Sequence, residues 1–167
     1  MIGRPGCPAG FRSAGSTFAP SKAADTRHPR RIVRALPDTV IVGSLRRGCE
    51  VVGDIDLLTT SSEVLGLLTT LIDEVFVQGA AKVSGRRGEI QVDLNLTTVE
   101  AMGSALMHHT GSAGFNIMCR SRAIRLGYSL SQHGLFKGDQ LVASATEDQI
   151  LGILGMEWAL DPAKRSR

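Results

Sequence analysis

The chain has 167 residues, of which 43% are hydrophobic, 4% aromatic and 21% charged; this admits one domain or two very small ones, with a core that needs no disulfide or metal staple, and it excludes collagen, a coiled coil and a wholly disordered chain. The net charge of +3 conceals a pattern: seven basic residues against one acid in residues 1–34, five against ten in 35–104, and seven against five in 105–167. An acidic middle between basic flanks suits a carboxylate metal site beside surfaces for a polyanion, and it also suits plain solvated charge.

Residues 1–27 are dominated by Gly, Pro, Ser and Ala without an apolar period, which predicts a disordered basic arm. The composition also fits a transit peptide, but no long amphipathic stretch supports mitochondrial targeting, and the missing apolar segment excludes a secretory signal. Arg30–Leu36 reads as a short helix ended by Pro37, and Thr39–Val42 as a buried β-branched strand stopped by Gly43. Val51–Thr60 reads as a second strand, followed by a helix to Asp73 capped by Ser61 and Ser62. Val75–Ser84 and Glu89–Thr97 read as strands joined by a Gly85-Arg86-Arg87-Gly88 turn. Thr97 and Glu100 have the spacing of a capping box for a helix to about Met107.

After a break at Thr110-Gly111, Ser112 caps a helix from Ala113 to Leu126. A hairpin follows, Tyr128–Gln132 with Gly134–Phe136, turned again at Gly138-Asp139 into Gln140–Ala143. Ser144 and Glu147 have the spacing to cap a last helix, Glu147–Leu154, before a basic tail. Trp158 and Phe136 read as core of this second unit. Helices and strands mix without strict alternation, so the fold class is α+β in two small units, 28–107 and 108–167. Cys7, Cys49 and Cys119 are odd in number and in no CxxC spacing, which points to a reducing, intracellular setting and no zinc site. No run of 18 apolar residues predicts a membrane span.

The chemistry concentrates in the acidic middle. Asp54 and Asp56 are two apart in an apolar strand, so both carboxylates point one way, roughly 6–7 Å apart. In Ile90–Leu96 the same alternation sets Gln91, Asp93 and Asn95 against an apolar face. If the two strands are neighbours, three carboxylates converge, a hard-oxygen set suited to magnesium and, with two ions, to phosphoryl transfer. The same acids would also fit a solvated sheet face. The turn ahead of them favours the first reading: Gly43 and Ser44 let backbone and a small hydroxyl approach a phosphate, and Arg47 can clamp it in a bidentate fork. Asn116 and Arg120 are four apart on one helical face, and Arg120, Arg122 and Arg125 make that helix basic.

GSLRRGCEVVGDIDLL followed by QVDLNL resembles the palm of the family X DNA polymerases, within the nucleotidyltransferase superfamily. HHTGSAGFNIMCRSRAIRLGYSLSQHGLF and the ending LGMEWALDPAKR resemble that family's thumb, and the whole is similar to its minimal palm-plus-thumb viral type. The resemblance implies a nucleotidyltransferase palm with a mixed or antiparallel sheet at 28–107 and a small α+β thumb at 108–167. It implies template-directed addition of deoxynucleotides to a primer 3′ end, in short-gap repair; a non-templated nucleotidyltransferase acting on RNA ends, protein or a small molecule is the alternative. Asp54, Asp56 and Asp93 would hold two magnesium ions, or manganese in their place. Gly43, Ser44, Arg47 and Gly53 would bind the nucleotide phosphates, His108, His109, Thr110 and Gly111 its sugar, and Asn116 its base edge. Arg120, Arg122 and Arg125 would meet primer-template or gapped DNA. Cellular members have Tyr-Phe where this chain has His108-His109, which bears on sugar discrimination, while the small viral type shares the first histidine. The implied protein is a monomer without membrane attachment, in viral or host-cell cytoplasm, with no lyase or proofreading activity.

Overall fold

The computed structural model describes residues 32–166; the arm expected at 1–27 lies outside them. Residues 32–35 are helical, ending before Pro37 as expected. Five strands then form one sheet in the order β1-β2-β5-β4-β3: β1 (Thr39–Ile41), β2 (Asp54–Thr59), β3 (Glu74–Gln78), β4 (Lys82–Arg87) and β5 (Ile90–Leu96). The sheet is mixed, because β2 and β5 run parallel while every other pair is antiparallel. A parallel pair needs a crossover, supplied by helix α2 (Ser62–Leu71) and the β3–β4 hairpin, after a four-residue helix α1 (Gly43–Arg46) that links β1 to β2. One face of the sheet buries Ile55, Leu57, Val83, Val92 and Leu94 against Val64, Leu65 and Leu68 of α2 and against Ile32 and Leu36. The other face is left to the acids at one end. At its other end, Val42 and Leu58 are covered by Ala105 of helix α3 (Met102–Thr110).

Helix α4 (Ala113–Arg125), strands β6 (Ser129–Ser131), β7 (Gly134–Lys137) and β8 (Gln140–Ala143), and helix α5 (Glu147–Leu154) enclose a second core of Met107, Phe115, Cys119, Leu135, Ile150 and Leu154. Helix α3 serves both cores and runs through the expected 107/108 boundary, with Ala105 facing the large sheet and Met107 the second core. Among the described residues no helix is long and apolar enough to cross a membrane.

Several local expectations are corrected. β1 is an edge strand paired with β2 alone, and Val40 is 41% exposed, so it is not a buried strand. The single strand expected over Val75–Ser84 is a hairpin: Gly79 N–H bonds the Lys82 carbonyl at 2.8 Å, and a tight turn of small residues carries little polar signal. Gly85, expected in a turn, lies inside β4, because a Cβ there would come within 2.3 Å of the Glu74 carbonyl oxygen. Neither predicted capping box forms. Thr98, not Thr97, accepts from Ala101 N–H at 3.2 Å, and Thr146, not Ser144, caps α5 by accepting from Gln149 N–H. Ser144 instead donates to the Glu100 carbonyl at 2.6 Å. The basic tail folds into two 3-10 turns, Glu157–Leu160 and Pro162–Ser166. Trp158, expected in the core, is 44% exposed and lies edge-on to Phe115.

Candidate active site

The neighbour relation on which the carboxylate reading depends is present. β2 and β5 are adjacent, with Asp56 opposite Asp93 and Asp54 opposite Gln91. Asp54, Asp56 and Asp93 therefore project from one face, away from the Ile55, Leu57 and Val92 core. Burial and the neighbouring Asp93 charge push the Asp54 carboxyl up, and burial with the charges of Asp54 and Asp93 pushes Asp56 to about 6. At Asp93 burial acts upward too, but hydrogen bonds outweigh it and hold this carboxyl below its usual range. Ser84 Oγ donates to Oδ1 at 2.5 Å, Gln91 Nε2 reaches the same oxygen at 3.1 Å, and Lys82 Nζ pairs with Oδ2 at 2.9 Å. Among the described residues no three His, Cys, Asp or Glu side chains are gathered tightly enough to hold a metal ion. The three acids share a face and a field, with Asp93 turned to its donors. The donor set fits a hard divalent cation nonetheless: oxygen ligands in a buried negative field, which Lys82 and Arg47 offset in part.

The turn after β1 sets the second half of the site. Gly43 has φ +64°, and a Cβ on it would fall 2.1 Å from Asp56 Oδ2. Gly43→Ala therefore forces the Asp56 carboxylate aside and strains the turn. We expect urea denaturation of this variant to show a loss of about 1–3 kcal/mol.

The next residues carry unsatisfied donors. The Ser44 hydroxyl and Arg47 Nε are buried without a hydrogen-bond partner. Buried polar groups left this way call for a ligand, and phosphate oxygens match both. Burial lowers the Arg47 pKa, while Asp56 and Asp54 act to raise it; its Nη1 donates to the Thr110 carbonyl. Arg46 leans the other way, to Thr110 Oγ1 at 2.6 Å and in a two-pronged pair to Glu147 at 3.0 and 2.6 Å. Glu147 also accepts from Arg165 Nη1 at 2.7 Å. Gly53 lies exposed just ahead of Asp54, with open space around it.

The last turn of α3 faces this arrangement. His108 and His109 stand edge to face with centroids 5.0 Å apart. Burial, with the charges of Arg120 and His133, lowers His108; burial, with His108 and Lys82, pulls His109 to about 4, so His109 is neutral at pH 7. Thr110 and Gly111 are buried, and Asn116 Nδ2 donates to the His108 carbonyl at 2.7 Å. His108, Asn116 and Arg120 line one shallow cleft with Met107, Leu130 and Ser131. The three arginines of α4 do not act alike: Arg120 borders that cleft, while Arg122 Nε donates to the Leu154 carbonyl at the end of α5. Arg125 is exposed. Sequence reasoning missed Lys82, Ser84, Glu147 and Arg165. The first two had a signal, the polar alternation Lys82, Ser84, Arg86 along a strand that pairs with the Asp93 strand.

The DNA polymerase beta thumb model matches residues 105–166. Over 151 residues the chain is 30% identical to Repair DNA polymerase X of African swine fever virus, with 81% of this chain and 86% of the viral protein covered. The chain belongs to the family X DNA polymerases. Within this family it is also 26% identical over 162 residues to DNA polymerase lambda of Rattus norvegicus, covering 28% of that longer protein. The fold matches polymerase beta of Leishmania infantum in a ternary P/T complex, with a TM-score of 0.69 at 22% identity over 83% of this chain and 72% of that one. For a family X chain the thumb match starts inside α3, the helix that carries His108, His109 and Thr110.

Proposed function

We propose that this family X chain is a template-directed DNA polymerase that adds deoxynucleotides to a primer 3′ end and fills short gaps in repair, acting as a monomer with residues 28–107 as palm and 108–167 as thumb. The observation that carries the reading is the pair of unpartnered buried donors, Ser44 Oγ and Arg47 Nε, beside a face of three coupled carboxylates. A triphosphate supplies what the donors lack, and the acids need cations. Polymerase beta of Leishmania infantum, which shares the fold, is solved in ternary P/T and gap complexes, which supports DNA as the partner.

Asp54 and Asp56 would hold both divalent ions, magnesium or manganese, and Asp93 one of them. Bound there, the ions supply charge neutralisation and Lewis acidity for in-line transfer. The chain's own groups do the positioning. Ser44, Arg47 and the backbone at Gly53 hold the β- and γ-phosphates. His109, neutral at pH 7, packs with His108, Thr110 and Gly111 on the sugar without competing for phosphate. Asn116 reaches the minor-groove edge of the base, Arg120 the template strand, and Asp93 the primer 3′ hydroxyl. Bringing these groups together before reaction removes entropy from the barrier.

Primer extension on a one-nucleotide gap with magnesium tests the reading. The expected result is insertion of the template-matched deoxynucleotide, lost without divalent ion and lost in Asp93→Ala. Addition regardless of the template base would point to a non-templated nucleotidyltransferase. DNA binding without incorporation would overturn both.

A further inference from the structure

We propose that Ser84 is a positioning residue for Asp93, a role that rests on the place of Asp93 in the reaction proposed above. A straight row crosses three strands: Asp56 pairs with Asp93, and Asp93 with Ser84. Ser84 is 5% exposed, and its hydroxyl donates to Asp93 Oδ1. Gln91, two residues along the same strand, reaches the same oxygen. The other oxygen, Oδ2, meets the ammonium of Lys82, whose side chain is 42% exposed. The two carboxylate oxygens are thus sorted by the kind of partner they have. Oδ1 is held by two uncharged donors, one of them on a one-torsion side chain anchored in a paired strand. Oδ2 is held by a cation on a long, half-solvated stem that can swing into water.

This asymmetry decides which oxygen is offered. Lys82 could give up Oδ2 to a divalent ion, while buried Ser84 would keep the plane of the carboxylate fixed through Oδ1, with the exposed Gln91 as a second, looser donor. A neutral hydroxyl suits the post, since it orients the acid without cancelling the charge that the cation must meet. An arginine or lysine at position 84 would orient Asp93 equally well and repel the ion. Partners of ligating carboxylates typically contribute 10–100-fold to metal affinity or activity.

The test uses the full chain with Ser84→Ala, Ser84→Thr and Lys82→Met. Insertion into a one-nucleotide gap is measured together with direct Mn2+ binding to the DNA-free protein by electron paramagnetic resonance. Ser84→Ala is expected to lower kcat by about 10–100-fold with nucleotide KM within about twofold, and to weaken Mn2+ binding about tenfold. Ser84→Thr, which keeps the hydroxyl, should restore both. Lys82→Met should tighten Mn2+ binding, because the competing ammonium is gone. A Ser84→Ala protein within about twofold of the parent in both kcat and Mn2+ affinity overturns the proposal. So does a loss that Ser84→Thr does not rescue and that a lower melting temperature accompanies. If the parent protein inserts no nucleotide, the polymerase reading fails, while the Mn2+ affinities still decide whether Ser84 positions Asp93.

Discussion

Asp56→Asn is expected to end nucleotide insertion and, at pH 8 without divalent ion, to make the fold more stable. In the proposed reaction the first effect follows from removing a carboxylate from the face that would balance transition-state charge; losing one such electrostatic group costs about 10³-fold, and Asp56 neighbours both other acids, Asp54 two residues away on β2 and Asp93 opposite it on β5. The second follows from its pKa, raised to about 6 by burial and by the charges of Asp54 and Asp93. An acid whose folded pKa lies above its unfolded value binds more protons folded than unfolded in the window between them. The parent protein therefore loses stability as pH rises from about 4 towards 6 and does not regain it above. Asparagine removes that charge. The gain at pH 8 should be about 1–2 kcal/mol, less than the full shift would imply because the carboxylate stays partly solvated. Urea titrations at pH 4 and pH 8 check it. An equal difference between parent and variant at both pH values, or a less stable variant at pH 8, would sink the argument. Added magnesium should raise the parent's melting temperature and move the variant's less, since a ligand stabilises in proportion to its affinity for the folded state.

Glu147→Ala should cost about 3–5 kcal/mol, the usual penalty for breaking a buried ion pair by removing one partner. Glu147 is the hub between Arg46, next to the Gly43–Ser44 turn, and Arg165, whose side chain is fully buried in the last 3-10 turn described. Without the carboxylate two guanidinium groups remain, and Arg165 Nη2 already lacks a partner. Among the described residues the Arg165 guanidinium would keep its bond to the Ala159 carbonyl at 2.6 Å and its place 5.1 Å from the Phe115 ring. Because Arg46 also holds Thr110, the loss should loosen α3 from the turn at Gly43 and raise the nucleotide KM as well as lower the urea midpoint. The carboxyl of Glu147 is held below its usual range by Arg46 and Arg165 against burial. Its contribution is thus complete at neutral pH and disappears as pH falls through that lowered value. The parent's midpoint should therefore fall in acid, whereas the alanine variant lacks this part of the decline. A variant with the parent's midpoint and KM would show that the pair is incidental.

The parts of the site legible in the sequence are those that local rules control. The two-residue spacing of Asp54 and Asp56 fixes a common face as soon as the segment is a strand, and GSLRRG places a glycine and a hydroxyl where a strand ends. The bounds of α4, β7 and β8 followed equally well from a cap, turns and apolar period, and those of α5 from apolar period although its cap is Thr146. Errors arose where two local signals competed. Gly85-Arg86-Arg87-Gly88 has turn composition, yet Gly85 is there because the Glu74 backbone lies against it. Ser144 and Thr97 have capping spacing, but Thr146 and Thr98 are one or two residues better placed once the chain arrives from β8 and β5.

The sequence alone determined the fold class, the family resemblance, the shared face of Asp54 and Asp56 and the Gly43–Ser44 turn, because each is written in periodicities of two to four residues or in a contiguous motif. Whether Asp93 would stand beside Asp56, what would face its two oxygens, and what would hold Arg46 were decided by the tertiary structure. The Asp56–Asp93 pairing depends on a parallel crossover through residues 60–89, and the Ser84 contact on the register of a hairpin. The Arg46–Glu147–Arg165 hub joins positions 101 and 18 residues apart. Pairings at such separations are fixed by which apolar faces are buried together, and the polar partners on the opposite face are carried along by that register.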